Sequence, residues 1–341
     1  MESISGNALV IKEININLVR KALKVKGLAT KQQIAKATGL SLVTVGTVLQ
    51  FLLKQNEVFA SELSPSSGGR PAQQYRYNSD FAFALVLFPY ESTGRITIHS
   101  AVVNLSAQCV YESDTEVENI DFKCFEEIIE PLLAAYPAIR VLGFGHPGIE
   151  DEGKIILSDY KMLIGSPFTE HFSTLYGMPV VMENDVNCAV TGFAKRKKLL
   201  EDCTLVYLYF PDLYQPGAGI FINGRLFKGK RNFAGEVGSL PFDLAWGKDL
   251  YASFDPLCEA IYTLILTICC ILDPDRVVLN GSFLTQDHIA AITRKCREGL
   301  PRNIVPVISL SDNFVSDYQN GLAAQTLEQL EPDIRLTRTK C

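Results

Sequence analysis

The sequence predicts a layered α/β protein preceded by a short, mostly helical head. Three observations carry this reading. Apolar strand-like runs at 81–88, 95–103, 140–145, 179–182, 204–210 and 218–222 alternate with helical stretches at 122–136, 167–177, 186–199, 248–272 and 285–299, an order that builds sheets covered by helices. The first 80 residues instead read as helices followed by strand, polar turn and strand. Charge divides at the same point: residues 1–80 hold ten Lys and Arg against five Asp and Glu (+5), and residues 81–341 hold 22 against 33 (−11), giving the net −6. The expected domains are therefore 1–80 and 81–341, the first alone suited to a polyanion.

Composition sets the outer bounds. A chain of 341 residues exceeds one small domain, and 47% hydrophobic with 21% charged residues is ordinary for a globular protein. The longest apolar run, "IYTLILTICCIL" at 261–272, falls short of the roughly 20 residues that cross a bilayer. The N-terminus lacks the basic-then-apolar order of a signal peptide. Nine cysteines are scattered without a framework and without any CxxC pair, which suggests reduced core residues in a cytoplasmic protein with no membrane partner.

In the head, "NINLVRKALKVKG" places Leu18, Val19, Leu23 and Val25 at amphipathic spacing from Asn15 until Gly27 ends the helix. Thr30 is an N-cap for "KQQIAKAT", Gly39 marks a turn, and Ser41 caps "LVTVGTVLQFLLKQN". Ile34, Ala35, Leu40, Val45, Val48, Leu49 and Leu52 supply a shared core. Helix, short turn and helix at this spacing is the pattern of a helix-turn-helix, whose second helix enters the DNA major groove by its N-terminus. Ser41, Val43, Thr44 and Thr47 would then face the groove, with hydroxyls for phosphates or base edges and methyls for thymine, while Thr30, Lys31 and Gln32 would hold the backbone. The same pattern also fits three helices packed for another purpose.

The segment after these helices narrows the choice. "EVFASELSPSSGGRPAQQYRYN", 57–78, reads as a wing whose tip "SSGGRP" presents Gly69 and Arg70. An extended Arg there can enter the narrow minor groove of A·T-rich double-stranded DNA. A solvated linker Arg is the plain alternative.

In the body, "VVMENDVNCA", 180–189, runs an apolar strand into Glu183-Asn184-Asp185. Taken alone, such an ending is a strand-end turn with a helix N-cap. Several stretches in order, however, resemble the ROK family (repressor, open reading frame, kinase) over nearly the whole chain: "GLSLVTVGTVLQFLLKQNEV", "GGRPAQQYRYN", "GFGHPGIEDEGKI", "MENDVNCAVTGFA", "GAGIFINGRLFKGKRNFAGEVGSLPF" and "DPDRVVLNGSF". The resemblance implies an actin-like (ribonuclease H-like) pair of α/β lobes around a cleft, behind a winged helix-turn-helix in repressor members. It carries Asn184 and Asp185 over to the family's hexose-binding Asn-Asp, whose Asp is the general base of kinase members. Glu236 matches a hexose-hydroxyl ligand, and "HPG", 146–148, would bring backbone near the ring. An amide and two carboxylates are suited to vicinal hydroxyls.

Three departures set the chain apart from the family pattern. The family's first strand normally ends in Asp-x-Gly-Gly-Thr, a phosphate-cradling turn; here "LVLFPYESTGRITIHS" offers a lone Gly94. Its second phosphate loop, Gly-Thr-Gly-x-Gly, reads "YFPDLYQPGAGI", where Pro211 and Pro216 remove amide donors and Leu213 and Tyr214 are bulky. The zinc-associated His position is Ser239, and of the usual cysteine cluster only Cys258 stands nearby. Phosphoryl transfer depends on positioning and neutralising phosphates, so Asp185 is expected to hold a ligand without catalysing a reaction, and no catalytic residue, cofactor or metal is implied. The expectation is a homodimeric transcriptional regulator, a repressor of carbohydrate-related genes, sensing a sugar, sugar phosphate or protein effector; a hexose kinase using ATP is the alternative.

Overall fold

The computed structural model describes residues 4–63, 72–92, 95–199, 202–212, 214–311 and 313–330. Its head consists of α1 (Ile4–Lys26), β1 (Leu28–Thr30), α2 (Lys31–Thr38), α3 (Leu42–Lys54), β2 (Val58–Leu63) and β3 (Gln73–Tyr77). The three strands form an antiparallel sheet in the order β1-β3-β2.

Both predicted caps are formed. Thr30 Oγ1 accepts from Gln33 N at 3.3 Å while Gln33 Oε1 accepts from Thr30 N at 2.9 Å, a reciprocal capping box that satisfies two orphan donors. Ser41 Oγ accepts from Thr44 N at 3.0 Å. Gly39, at φ 72, lets α2 end in the left-handed region, and the axes of α2 and α3 bend by 113°. Ile34, Val45, Val48, Leu49 and Leu52 are buried together with Ile16, Val19 and Leu23 of α1. The bidentate Arg20–Glu57 pair, both contacts at 2.6 Å, ties α1 to the start of β2. Two expectations change here. The first helix begins eleven residues before Asn15, and Val25 is 87% exposed, because 16, 19 and 23 form the inward stripe and Val25 projects from the other side.

The body contains β4 (Phe83–Ser92), β5 (Arg95–Asn104), β6 (Cys109–Val117), α4 (Phe122–Ala135), β7 (Ile139–His146), the hairpin β8 (Gly148–Asp151) and β9 (Lys154–Ser158), α5 (Phe168–Tyr176), β10 (Val180–Asn184) and α6 (Asp185–Arg196). It continues with β11 (Thr204–Tyr209), β12 (Gly217–Ile222), β13 (Arg225–Leu226), α7 (Lys248–Tyr251), α8 (Phe254–Leu272), β14 (Arg276–Asn280), α9 (Gln286–Gly299), β15 (Val307–Leu310) and α10 (Phe314–Glu328). The single helix expected over 248–272 is thus two, separated at Ala252–Ser253.

The two five-stranded sheets share one topology, β6-β5-β4-β7-β10 and β13-β12-β11-β14-β15. In each, a meander of three strands is extended by two parallel strands, each reached through a helical connection. The helices that follow the two last strands, α6 and α10, exchange partners: α6 packs on β11 and β12, and α10 on β4 and β7. They cross at glycines. A Cβ on Gly192 would lie 1.9 Å from Asp317 O, and one on Gly321 1.8 Å from Cys188 O, so the backbones touch and no larger residue fits.

Beneath the second sheet, α8 buries Leu257, Ile261, Leu264 and Ile265 in a core with Val277 and Leu279. At 19 residues it is long and apolar enough to cross a membrane by length and composition, which the uninterrupted run 261–272 had understated; the buried face explains that apolarity. Five of the eight described cysteines are buried and all eight are free thiols.

Candidate functional site

The β10–α6 junction delivers the predicted triplet. Glu183 is buried, pairs with Lys228, and accepts from Asn184 N at 3.0 Å and Asn187 Nδ2 at 3.2 Å. Asn184 is the N-cap of α6: its Oδ1 accepts from Val186 N at 3.0 Å and Asn187 N at 3.1 Å, and its Nδ2 donates to Gly148 O at 3.2 Å. Its carbonyl is therefore committed to the helix and leaves less of the amide for a ligand. Asp185, 9% exposed, accepts from Val186 N at 2.8 Å. Burial pushes its carboxyl up to about 8, with Asp159 and Glu236 adding to the rise, so near neutral pH it is largely protonated and can donate as well as accept.

Glu236 arrives from the connection after β13. Gly235 makes this possible: at φ 107 a Cβ would lie 2.0 Å from Ala218 O, so the chain passes against β12. Burial raises the Glu236 carboxyl as well. Gly148 adopts φ 154, with Leu157 O occupying the place of a Cβ, and brings backbone to the cleft as expected from "HPG". Beside it His146 is buried with no partner at Nε2, and burial holds its ring down at about 4, hence neutral.

Asn184, Asp185 and Glu236 line one cleft of about 1090 Å³ between the two sheets, together with Gly148, Asp159, Tyr160, Asp212, Ser239 and Tyr318. Sequence reasoning missed Asp159, Tyr160 and Tyr318. Tyr318 lies in α10, which no motif marked, and its hydroxyl is buried without a partner.

The stretches expected to have lost phosphate cradles take definite forms. β4 and β5 pair without interruption from Phe83↔Asn104 to Ser92↔Arg95, so a regular ladder reaches Ser92 and Arg95 on either side of the place where the resemblance implies a glycine-rich turn. Gly94 and Leu213 lie outside the described residues. In the second loop Phe210, Pro211, Asp212, Tyr214, Gln215 and Pro216 face the cleft, and Asp212 accepts from Ser282 Oγ at 2.6 Å. A carboxylate there opposes a phosphate.

In the head, Ser41, Val43 and Thr47 are exposed, Val43 at 78%. Thr44 Oγ1 lies 2.9 Å from Ser41 Oγ, and Thr47 Oγ1 donates to Val43 O at 3.2 Å. Gln32 is exposed, and the Lys31 ammonium lies against Gly46 of α3. Gly69 and Arg70 lie outside the described residues.

Fold and cleft together define an α/β protein with duplicated sheets, crossed helices and a ligand-sized cavity between its halves. Residues 92–259 match the model of the ROK family, and the chain carries a ROK-family domain. It is 25% identical over 247 residues to the xylose repressor of Caldicellulosiruptor bescii, covering 68% of this chain and 60% of that protein. An N-acetyl-D-glucosamine kinase of Vibrio cholerae is 32% identical over 134 residues, 37% of this chain and 43% of the kinase. Among solved structures, a ROK family transcriptional regulator, homolog of the E. coli MLC protein, superposes with a TM-score of 0.70 at 14% identity over 94% of this chain and 98% of its own.

Proposed function

We propose that the chain is a DNA-binding transcriptional regulator, a repressor of carbohydrate-related genes, in which residues 1–80 form a winged helix-turn-helix and residues 81–341 an effector-binding and dimerising body. The observation that carries this reading is the exposed N-terminal turn of α3. Val43 is apolar yet open to solvent, flanked by the hydroxyls of Ser41, Thr44 and Thr47, a set suited to phosphates and thymine methyls. The repressor relative supports the same direction. A homodimer would carry two such heads to the half-sites of a pseudo-palindrome, with Thr30, Lys31 and Gln32 on the backbone and Gly69 and Arg70 at a minor groove.

The effector enters the cleft at Asn184, Asp185 and Glu236. It acts through unequal affinity for two arrangements of head and body. Electrophoretic shift with DNA flanking the chain's own gene tests the reading: salt-sensitive, sequence-selective binding is expected, and its absence at every such site contradicts it.

A hexose kinase is the second reading, favoured by the kinase relative and by Asp185 at the start of α6. Against it stand the unbroken β4–β5 ladder and Asp212 in the second loop. Phosphorylation of a hexose by ATP, abolished in Asp185→Asn, would establish it.

A further inference from the structure

The cleft is charged in one sense only. Four carboxyl groups line it, Asp159, Asp185, Asp212 and Glu236, and none of its lining residues among those described is Lys, Arg or His. The nearby Lys228 is paired with Glu183. These acids come from four separate segments, the residue after β9, the start of α6, the loop after β11 and the connection after β13. Among the described residues no three of them converge closely enough to hold a metal ion, so the negative charge is spread over a cavity the size of an organic molecule.

A second observation is independent of the acids. Tyr318, 1% exposed, lines the same cavity with a hydroxyl that has no partner, and a buried hydroxyl left unpaired is costly unless something completes it. Tyr90, Tyr160, Tyr209 and Phe314 add aromatic faces to the walls. Such faces attract cations and suit the apolar side of a sugar ring.

We propose that the cleft selects a positively charged polyol, an amino sugar with a free ammonium group, and rejects phosphorylated sugars and nucleotides. This rests on the reading of the cleft as the effector site. The ammonium sits against the Asp159 carboxylate, the ring hydroxyls meet Asn184, Asp185, Glu236 and the Tyr318 hydroxyl, and Asp212 repels any phosphate carried toward the second sheet.

Titration calorimetry of the full chain with glucosamine, galactosamine and mannosamine, their parent hexoses, their N-acetyl forms, the hexose 6-phosphates and MgATP tests it. At least one amine is expected to bind tenfold or more tighter than its parent hexose. The advantage should vanish on N-acetylation, shrink as salt is raised, and fall in Asp159→Asn, a substitution at an exposed position. Equal or tighter binding of the neutral hexose, or any binding of a hexose phosphate or MgATP that Asp185→Asn abolishes, overturns the charge selectivity and leaves the cleft as a sugar site. Failure of every sugar to bind overturns both.

Discussion

Phe88 and Tyr318 stack at 4.0 Å between ring centroids with their planes 26° apart, joining β4 to α10 beside the cleft. Gly145 on β7 makes room for the pair, since a Cβ there would lie 2.1 Å from the Tyr318 hydroxyl oxygen. Both rings are fully buried. The stack therefore holds the end of β4 against α10, where Pro89, Tyr90 and Tyr318 line the cleft.

Removing either member should separate packing from polarity. Phe88→Ala is expected to lower stability by about 3–5 kcal/mol, the usual result of emptying a buried aromatic site. Tyr318→Phe keeps the ring and deletes only the unpartnered hydroxyl, so stability should hold or rise slightly. Urea unfolding of the two variants checks both.

The crossing of α6 and α10 predicts a harsher outcome. Gly192→Ala and Gly321→Ala each place a methyl within 2 Å of a carbonyl oxygen on the other helix. Neither helix can absorb that without moving the sheet it covers. Each variant should lose several kcal/mol, more than the roughly 1–3 of ordinary overpacking, and thermal denaturation should show it.

Beside that crossing Asp317 is 0% exposed and accepts from Arg196 Nε at 3.0 Å, Arg196 Nη2 at 2.8 Å and Ser311 Oγ at 2.6 Å. Arg196→Met should cost about 3–5 kcal/mol by stranding the carboxylate. Adding Asp317→Leu should restore much of it, and a double-mutant cycle measures the coupling.

Stability should also depend on pH in a defined window. The Asp185 carboxyl is raised to about 8 in the fold, so the folded state holds a proton that the unfolded chain releases near 4. That loses stability as pH rises toward 8. His146, held down at about 4, acts oppositely between 4 and its ordinary 6.5, where the unfolded chain binds the extra proton. The two offset each other below 6.5, leaving a net fall from about 6.5 to 8 of at most about 1.4 kcal/mol per pH unit. Urea unfolding at pH 5.5, 7 and 8.5 should show Asp185→Asn gaining on the unsubstituted chain across that window.

Much of this was legible in advance where a residue has a local job. Thr30, Ser41 and Gly39 marked the helix ends because caps and left-handed turns demand those residue types. The strand–turn–helix around Asn184 was readable for the same reason. Elements defined by their neighbours were not. β6, "CVYESDTEV", is largely exposed and polar, and only the free edge of β5 makes it a strand. α10 has buried residues around much of its circumference, Asp317, Tyr318, Gly321, Leu322 and Thr326, so it lacks the one-sided stripe that announces a helix. The carboxylates of the cleft lie apart in sequence, and only the paired sheets bring Asp159, Asp212 and Glu236 toward Asp185.

The proposed regulation of transcription depends most on the head reading DNA through α3. Selection of bound fragments from sheared genomic DNA of the source organism, with the full chain and with Val43→Glu, tests it directly. Val43 is exposed, so that variant should keep its thermal stability. A small set of fragments sharing an inverted repeat, lost in the variant, is the expected result; enrichment no greater than in the input, or identical for both proteins, would contradict it.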